Sequence, residues 1–294
     1  MTRNAQIAIS NIPAISAIYY ALLQCGYDYY SFERSPEHNK AVQSYIGSQA
    51  AAAFFSHVKQ DTCEVYPYWP RAAILETASF YLRPDMSQFS EYDAFHEFIM
   101  SAGNIADNER EQALWDWIKA FPQSLSAVLG SDGFRSYMEW EKQWIAQQNI
   151  EHEKELRLIR ACLDVCVSKY GSPVQNIQIV INPIKCAYSA DYHLNGGCFI
   201  FSAGMFRVES VIHEFLHHLI HPLVMEQKDM LFAENIVYPG LDDSYYLSGD
   251  KAGQLNAFEE YAVRELTNEI ITMNFPDDLA ACLKAKVFRF YADK

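Results

Sequence analysis

No stretch of the chain holds the roughly 18 uninterrupted apolar residues that a membrane span needs, so none of its segments is expected to cross a bilayer. Basic residues are also short: 23 stand against 37 acidic ones, for a formal net charge of -14. That balance works against a phosphate backbone and against anionic lipid, so neither nucleic acid nor membrane is expected as a partner. The seven cysteines form no Cys-x-x-Cys pair and no closely spaced framework. Free thiols in a reducing compartment account for them best. The opening stretch "MTRNAQIAISNIPAISAIYYALLQCGY" carries one Arg, is interrupted by Asn11 and Pro13, and has no small-residue cleavage pattern after it. It reads as a first helix and not as a leader, which places the protein in the cytoplasm, with export left open. Internal repeats and low-complexity segments are missing as well.

What is present is enough apolar residue for a sizeable core: half of the 294 residues. Up to about Lys169 apolar residues recur at three- and four-residue spacing. The pattern predicts helices over Ile7 to Leu23, Ala41 to Val58, Ala72 to Leu82, Phe89 to Met100 and Gln112 to Phe121, then a long one from Phe134 to Val167. Pro, Gly, Ser and Asp in "YPYWPR", "FPQS" and "GSDG" mark the breaks. At "YGSPVQ" the period changes. "NIQIVINPI" alternates, and "GGCFIFSAG" follows a Gly-Gly turn signal, which predicts a small antiparallel or mixed sheet. Helical spacing returns over Glu209 to His221, Lys251 to Met273 and Pro276 to about Phe290. The expected class is α+β, mostly α: a helical region over 1–170 and a catalytic region over 171–294, which together could form one continuous domain.

Histidine is scarce, nine in all, yet "VIHEFLHHLIHP" holds four of them with one glutamate. His213, Glu214 and His217 spell His-Glu-x-x-His. At 100° per residue His217 lies about 40° round the helix from His213 and one turn along it, so both imidazoles can reach one ion. Glu214 falls about 100° away, beside them. The other arc, with Val211, Ile212, Phe215, Leu216, Leu219 and Ile220, is apolar and suited to burial. Two imidazoles and a third ligand leave one zinc position for a water, and a neighbouring carboxylate can take its proton. A solvated polar stripe is the plainer reading of the same residues. His221 lies about 12 Å along the helix from His213 and is expected to cap the helix end before Pro222. His218 borders the apolar arc and is expected to be structural. No third histidine stands ten residues after the first, because position 223 is Leu.

A third ligand is sought in "KAGQLNAFEEYAVRELTNEIITM". Its apolar face centres on Leu255, Ala262, Leu266, Ile270 and Met273, and Glu259 projects into that arc, where a carboxylate is costly unless paired or metal-bound. Glu260 falls about 100° away and four before Arg264, the spacing of a helix salt bridge.

A His-Glu-x-x-His helix preceded by a strand and followed at a distance by a glutamate helix resembles the zincin metallopeptidases of the gluzincin branch. "HEFLHHLIHP" with "EEYAVREL" is similar to a group of uncharacterised bacterial zincin-like proteins having a His-Glu-Phe-x-His helix and a later Glu-x-x-Val-Arg segment. The resemblance implies a zinc peptidase with one ion on His213 and His217, Glu214 as general base, and a peptide or protein as substrate. It aligns Glu260 as the third ligand where the helix phase favours Glu259, and both stay open. A further candidate is Asp243 in "GLDDSYYL", which resembles the aspartate-zincin pattern but has Leu241 and Leu247 in place of its Thr and Gly. The resemblance also implies that "GGCFIFSAG" serves as the edge strand along which the peptide lies, and that Tyr238, Tyr245, Tyr246 or His193 stabilises the oxyanion. The alternative expectation is a catalytically inactive zincin-fold protein that binds metal or peptide in regulation.

Overall fold

The computed structural model describes residues 7–24, 73–101, 108–185, 190–231, 237–241 and 251–283. The helix expected over Ala41 to Val58 lies outside the described residues, as do Asp243, Tyr245 and Tyr246. The described part is α+β and mostly α, with a mixed four-stranded sheet in the order β1-β2-β4-β3.

Strand β1 is Ile9–Ser10, and helix α1 is Pro13–Gln24. The single helix expected from Ile7 is therefore a short strand followed by a helix. Pro13 sits at the first helical position, where its missing N–H costs nothing, and it biases the residue before it towards extended backbone. Helices α2 (Ala73–Ser79), α3 (Tyr92–Ser101) and α4 (Asn108–Leu129) follow. Helix α4 passes through Pro122, so "FPQS" is not a break. Proline there removes one backbone bond, but Ile118, Phe121, Leu125 and Val128 on one face are buried, and that burial keeps the helix going. The pattern from Phe134 to Val167 is two helices, α5 (Asp132–Glu151) and α6 (Glu153–Tyr170), parted at His152. The His152 ring packs on Phe206 at 4.7 Å, fixing the corner. Ser131 caps α5 by accepting from the Phe134 N–H at 3.2 Å.

Strands β2 (Asn176–Ile181), β3 (Asp191–Asn195) and β4 (Cys198–Ala203) complete the sheet. β1 pairs parallel with β2, β2 parallel with β4, and β3 antiparallel with β4. The two apolar strands thus pair in parallel, and the sheet is the mixed one of the two expected forms. Gly196 and Gly197, at φ 54° and 78°, make the tight turn between β3 and β4, where both central residues need positive φ. Among the described residues β4 is an interior strand, and β3 forms that border of the sheet.

The sheet separates two apolar layers. Val180, Ile200 and Ile184 face α1, α4 and α5, where Tyr20, Phe121, Phe134 and Tyr137 are buried. Ile179, Ile181, Phe199 and Phe201 face the opposite layer, with α6 and the helices α7 (Val208–Glu226) and α9 (Lys251–Asn274). A one-turn helix α8 (Lys228–Leu231) lies between them in sequence, and residues 277–283 are helical again. Residues from before and after position 170 share this second layer, among them Ile9, Ile159, Phe215 and Val263.

Two buried polar networks cross the first layer. Glu141 accepts hydrogen bonds from Asn11 (2.8 Å), Ser16 (2.8 Å), Tyr137 (3.0 Å) and Asn182 (3.1 Å). Burial pushes its carboxyl above the usual range, against those hydrogen bonds. Glu76, fully buried on α2, accepts from Lys185 Nζ at 2.7 Å and from the Tyr19 hydroxyl, and meets His193 Nε2 at 2.8 Å. Lys185 also donates to Asp191 at 3.0 Å. The second network fastens β3 to the N-terminal helices.

Candidate metal centre

Helix α7 forms because apolar residues at Val211, Ile212, Phe215, Leu216, Leu219 and Ile220 have one face of the sheet to bury against. Phe199 and Phe215 meet edge-on at 4.9 Å, which fixes the rotation of the helix about its axis. That rotation leaves His213, Glu214 and His217 half-buried on its other side. Helix α9 packs across this side and brings Glu259 and Glu260 to it.

His213, His217 and Glu260 come together with one ligand atom each, all within 4.8 Å of one another. His213 Nε2 and His217 Nε2 are 3.1 Å apart. Glu260 Oε2 lies 3.3 Å from the second and 3.6 Å from the first. Three tetrahedral zinc ligands at about 2.0–2.1 Å from the ion stand about 3.3 Å from each other, so two imidazole nitrogens and a carboxylate oxygen at these separations fit that ion in spacing and in donor type.

The salt-bridge spacing of Glu260 is realised on one oxygen, which leaves the other to the histidines. Oε1 accepts from Arg264 Nε at 2.8 Å while Oε2 faces the histidines. Arg264 is fully buried and donates its other arm to the Gly240 carbonyl at 2.7 Å. Glu259 faces the outer nitrogens instead: Oε1 lies 2.8 Å from His217 Nδ1 and Oε2 lies 2.8 Å from His221 Nδ1.

The cluster is built to hold positive charge. Burial pushes the His213 imidazole below its ordinary range, against the pull of Glu260. Burial works the same way on His217, but the hydrogen bonds to Glu259 and Glu260 and the charge of Glu214 outweigh it and lift that group to about 10. Glu260 is held far below the carboxylate range by the two histidines despite burial, and Glu259 is held low by His217 and His221.

The remaining candidates separate. His221 does not cap the helix end, because α7 runs on through Pro222 to Glu226; the pairing with Glu259 takes its ring instead. His218 lies against Phe199, Phe215 and Tyr192, 3.2 Å from Ser172 Oγ, and is structural in its surroundings. His193 is not at the cluster. It points to the other face of β3, against Glu76, Thr77 and Phe80, because side chains alternate along a strand. Tyr238 stacks on Tyr261 at 5.2 Å and meets Phe258 edge-on at 5.9 Å, so it packs on α9.

Sequence reasoning missed two features. The paired role of Glu259 and His221 could have been read from the spacing of His217 and His221, one turn apart, opposite two consecutive glutamates. Tyr192 was also missed; it lies on the α7 side of β3, stacked on Phe199 at 5.5 Å. Burial and the charges of Glu214 and Glu259 push its hydroxyl up to about 12. It stands in the polar strand "DYHLN", which gives no apolar alternation to notice.

Among the described residues no helix is long and apolar enough to cross a membrane. Comparison with family models, with curated proteins and with solved structures returned no match.

Proposed function

We propose that the protein is a zinc-dependent hydrolase of the zincin type, a metallopeptidase in the gluzincin manner. The observation that carries the reading is the convergence of His213 Nε2, His217 Nε2 and Glu260 Oε2 at ligand spacing, next to Glu214 on the same helix. These three atoms would hold one zinc ion. Zinc so bound supplies electrophilic polarisation and a water with a pKa near 7.

The chain's own residues supply the rest. Glu214 follows His213 directly, and its charge is felt at both His217 and Tyr192. As general base it takes the proton of the attacking water, holds it, and returns it to the leaving amine. Arg264 keeps Glu260 oriented. Strand β3 pairs on one side with β4, and among the described residues no strand pairs with its other side. An extended peptide added along that border would receive main-chain hydrogen bonds. The substrate is therefore a peptide or protein segment in extended form.

Replacing Glu214→Gln tests the reading. Zinc should remain bound one per chain while turnover of a peptide mixture falls by about 10²–10⁴-fold. A variant that kept its rate would remove Glu214 from the chemistry. Wild-type protein that bound zinc with no turnover of any peptide would favour the inactive, binding-only alternative.

A further inference from the structure

The geometry assigns Glu259 and His221 as a positioning pair that fixes the metal-facing nitrogen of His217; this rests on the zinc reading of the cluster. Glu259 lies 2.8 Å from Nδ1 of His217 through one oxygen and 2.8 Å from Nδ1 of His221 through the other. A carboxylate that meets two imidazoles through separate oxygens serves both as an acceptor. Each Nδ1 must then carry the proton and donate it. With Nδ1 of His217 occupied in this way, the lone pair of the neutral ring sits on Nε2, the atom that faces His213 Nε2 at 3.1 Å and Glu260 Oε2 at 3.3 Å.

The two consecutive glutamates thus divide the work. Glu260 meets the inner nitrogens and Glu259 the outer one, as their separation of about 100° around α9 allows. Glu259 is largely buried, with 14% of its side chain exposed, while His221 is 56% exposed. His221 therefore closes the arrangement on the solvent side. It holds the second carboxylate oxygen, which would otherwise be free to swing and take His217 with it. Helix α7 supplies both histidines one turn apart, and its continuation through Pro222 to Glu226 keeps His221 on the helix.

The test reads zinc affinity and imidazole tautomer, not activity alone. A chelator competition titration should show Glu259→Ala and Glu259→Gln binding zinc about 10–100-fold more weakly than wild type. Gln keeps an acceptor for His217 but lacks the charge that strengthens the bond from its Nδ1–H. His221→Ala should lose several-fold, and His221→Gln, which restores a donor to Glu259, should recover most of the loss. The long-range ¹H–¹⁵N spectrum of the zinc-loaded wild type should show His217 protonated at Nδ1 and ligated through Nε2, a measurement that needs no variant to fold. Ligation through Nδ1, or Glu259 variants within twofold of wild type, would overturn the assignment and leave the metal site standing. Wild-type protein that bound no zinc would overturn both.

Discussion

Replacing Lys185→Met would remove a cation that faces two acids, Glu76 and Asp191, in the buried network behind β3. Lys185 is 1% exposed, and its Nζ donates to Glu76 at 2.7 Å, Asp191 at 3.0 Å and the Ser202 hydroxyl at 3.2 Å. Glu76 is fully buried, and although burial opposes ionisation, Lys185 and His193 hold its carboxyl at about 2 against an ordinary 4.5. That depression corresponds to about 3 kcal/mol. Because the folded value is the lower one, the contribution is fully present above pH 4.5 and is lost as pH falls towards 2. Met fills the space but leaves Glu76 ionised without its cation, which predicts a destabilisation of about 3–5 kcal/mol at neutral pH. In the variant the carboxyl is instead pushed up by burial. The gap between variant and wild type should therefore narrow as pH drops from about 7 to about 4 and the buried acid takes a proton. Urea unfolding followed by circular dichroism and tryptophan fluorescence measures this. The double variant Glu76→Gln with Lys185→Met should recover part of the loss, and should fold even if the single variant does not. A gap under about 1 kcal/mol, or one that does not change with pH, would refute the account of this network.

Arg264→Ala should weaken zinc binding by about 10–100-fold, since Glu260 loses the partner that orients its second oxygen. Arg264→Lys should not restore it, because one ammonium cannot span both Glu260 Oε1 and the Gly240 carbonyl as the guanidinium does. Chelator competition reads both, and Lys binding as tightly as Arg would contradict this use of the fork. Zinc affinity should also rise with pH. Metal-free His217 keeps its proton up to about 10, so binding near neutrality must expel one. The logarithm of affinity should climb with a slope near one between about pH 7 and about pH 9, and a flat profile would contradict the proton's place.

The helix that carries the histidines was legible because its two kinds of residue keep to opposite arcs: Phe215 and Leu219 face the sheet, His213 and His217 face away. The choice between Glu259 and Glu260 was not legible, since both meet His217. The arc expected to be buried is not the inner one: Glu260, Val263, Arg264, Thr267 and Ile271 are buried while Met273 is exposed, so Glu259 stands beside the inner face and meets the outer nitrogen of His217. Helix phase carries no information about which atom of a partner is met. The strands divided in the same way. β2 and β4 show their Ile and Phe alternation, whereas β1 is two residues long and β3 is polar, so both depend on their neighbours for existence. Parallel pairing of β2 with β4 follows from that intervening β3, which no local pattern announces. Pro122 and Pro222 were over-read as terminators, because one lost backbone bond is small beside a buried face such as Phe121, Leu125 and Val128. His221 was misassigned for the same reason, its helix having one more turn to run.

One zinc ion between α7 and α9 would be located by anomalous diffraction from zinc-loaded crystals at the zinc absorption edge. A single strong peak is expected about 2.0–2.2 Å from His213 Nε2, His217 Nε2 and Glu260 Oε2. A peak ligated by Glu259 or Asp243 in place of Glu260, or no peak between the two histidines, would contradict this placement.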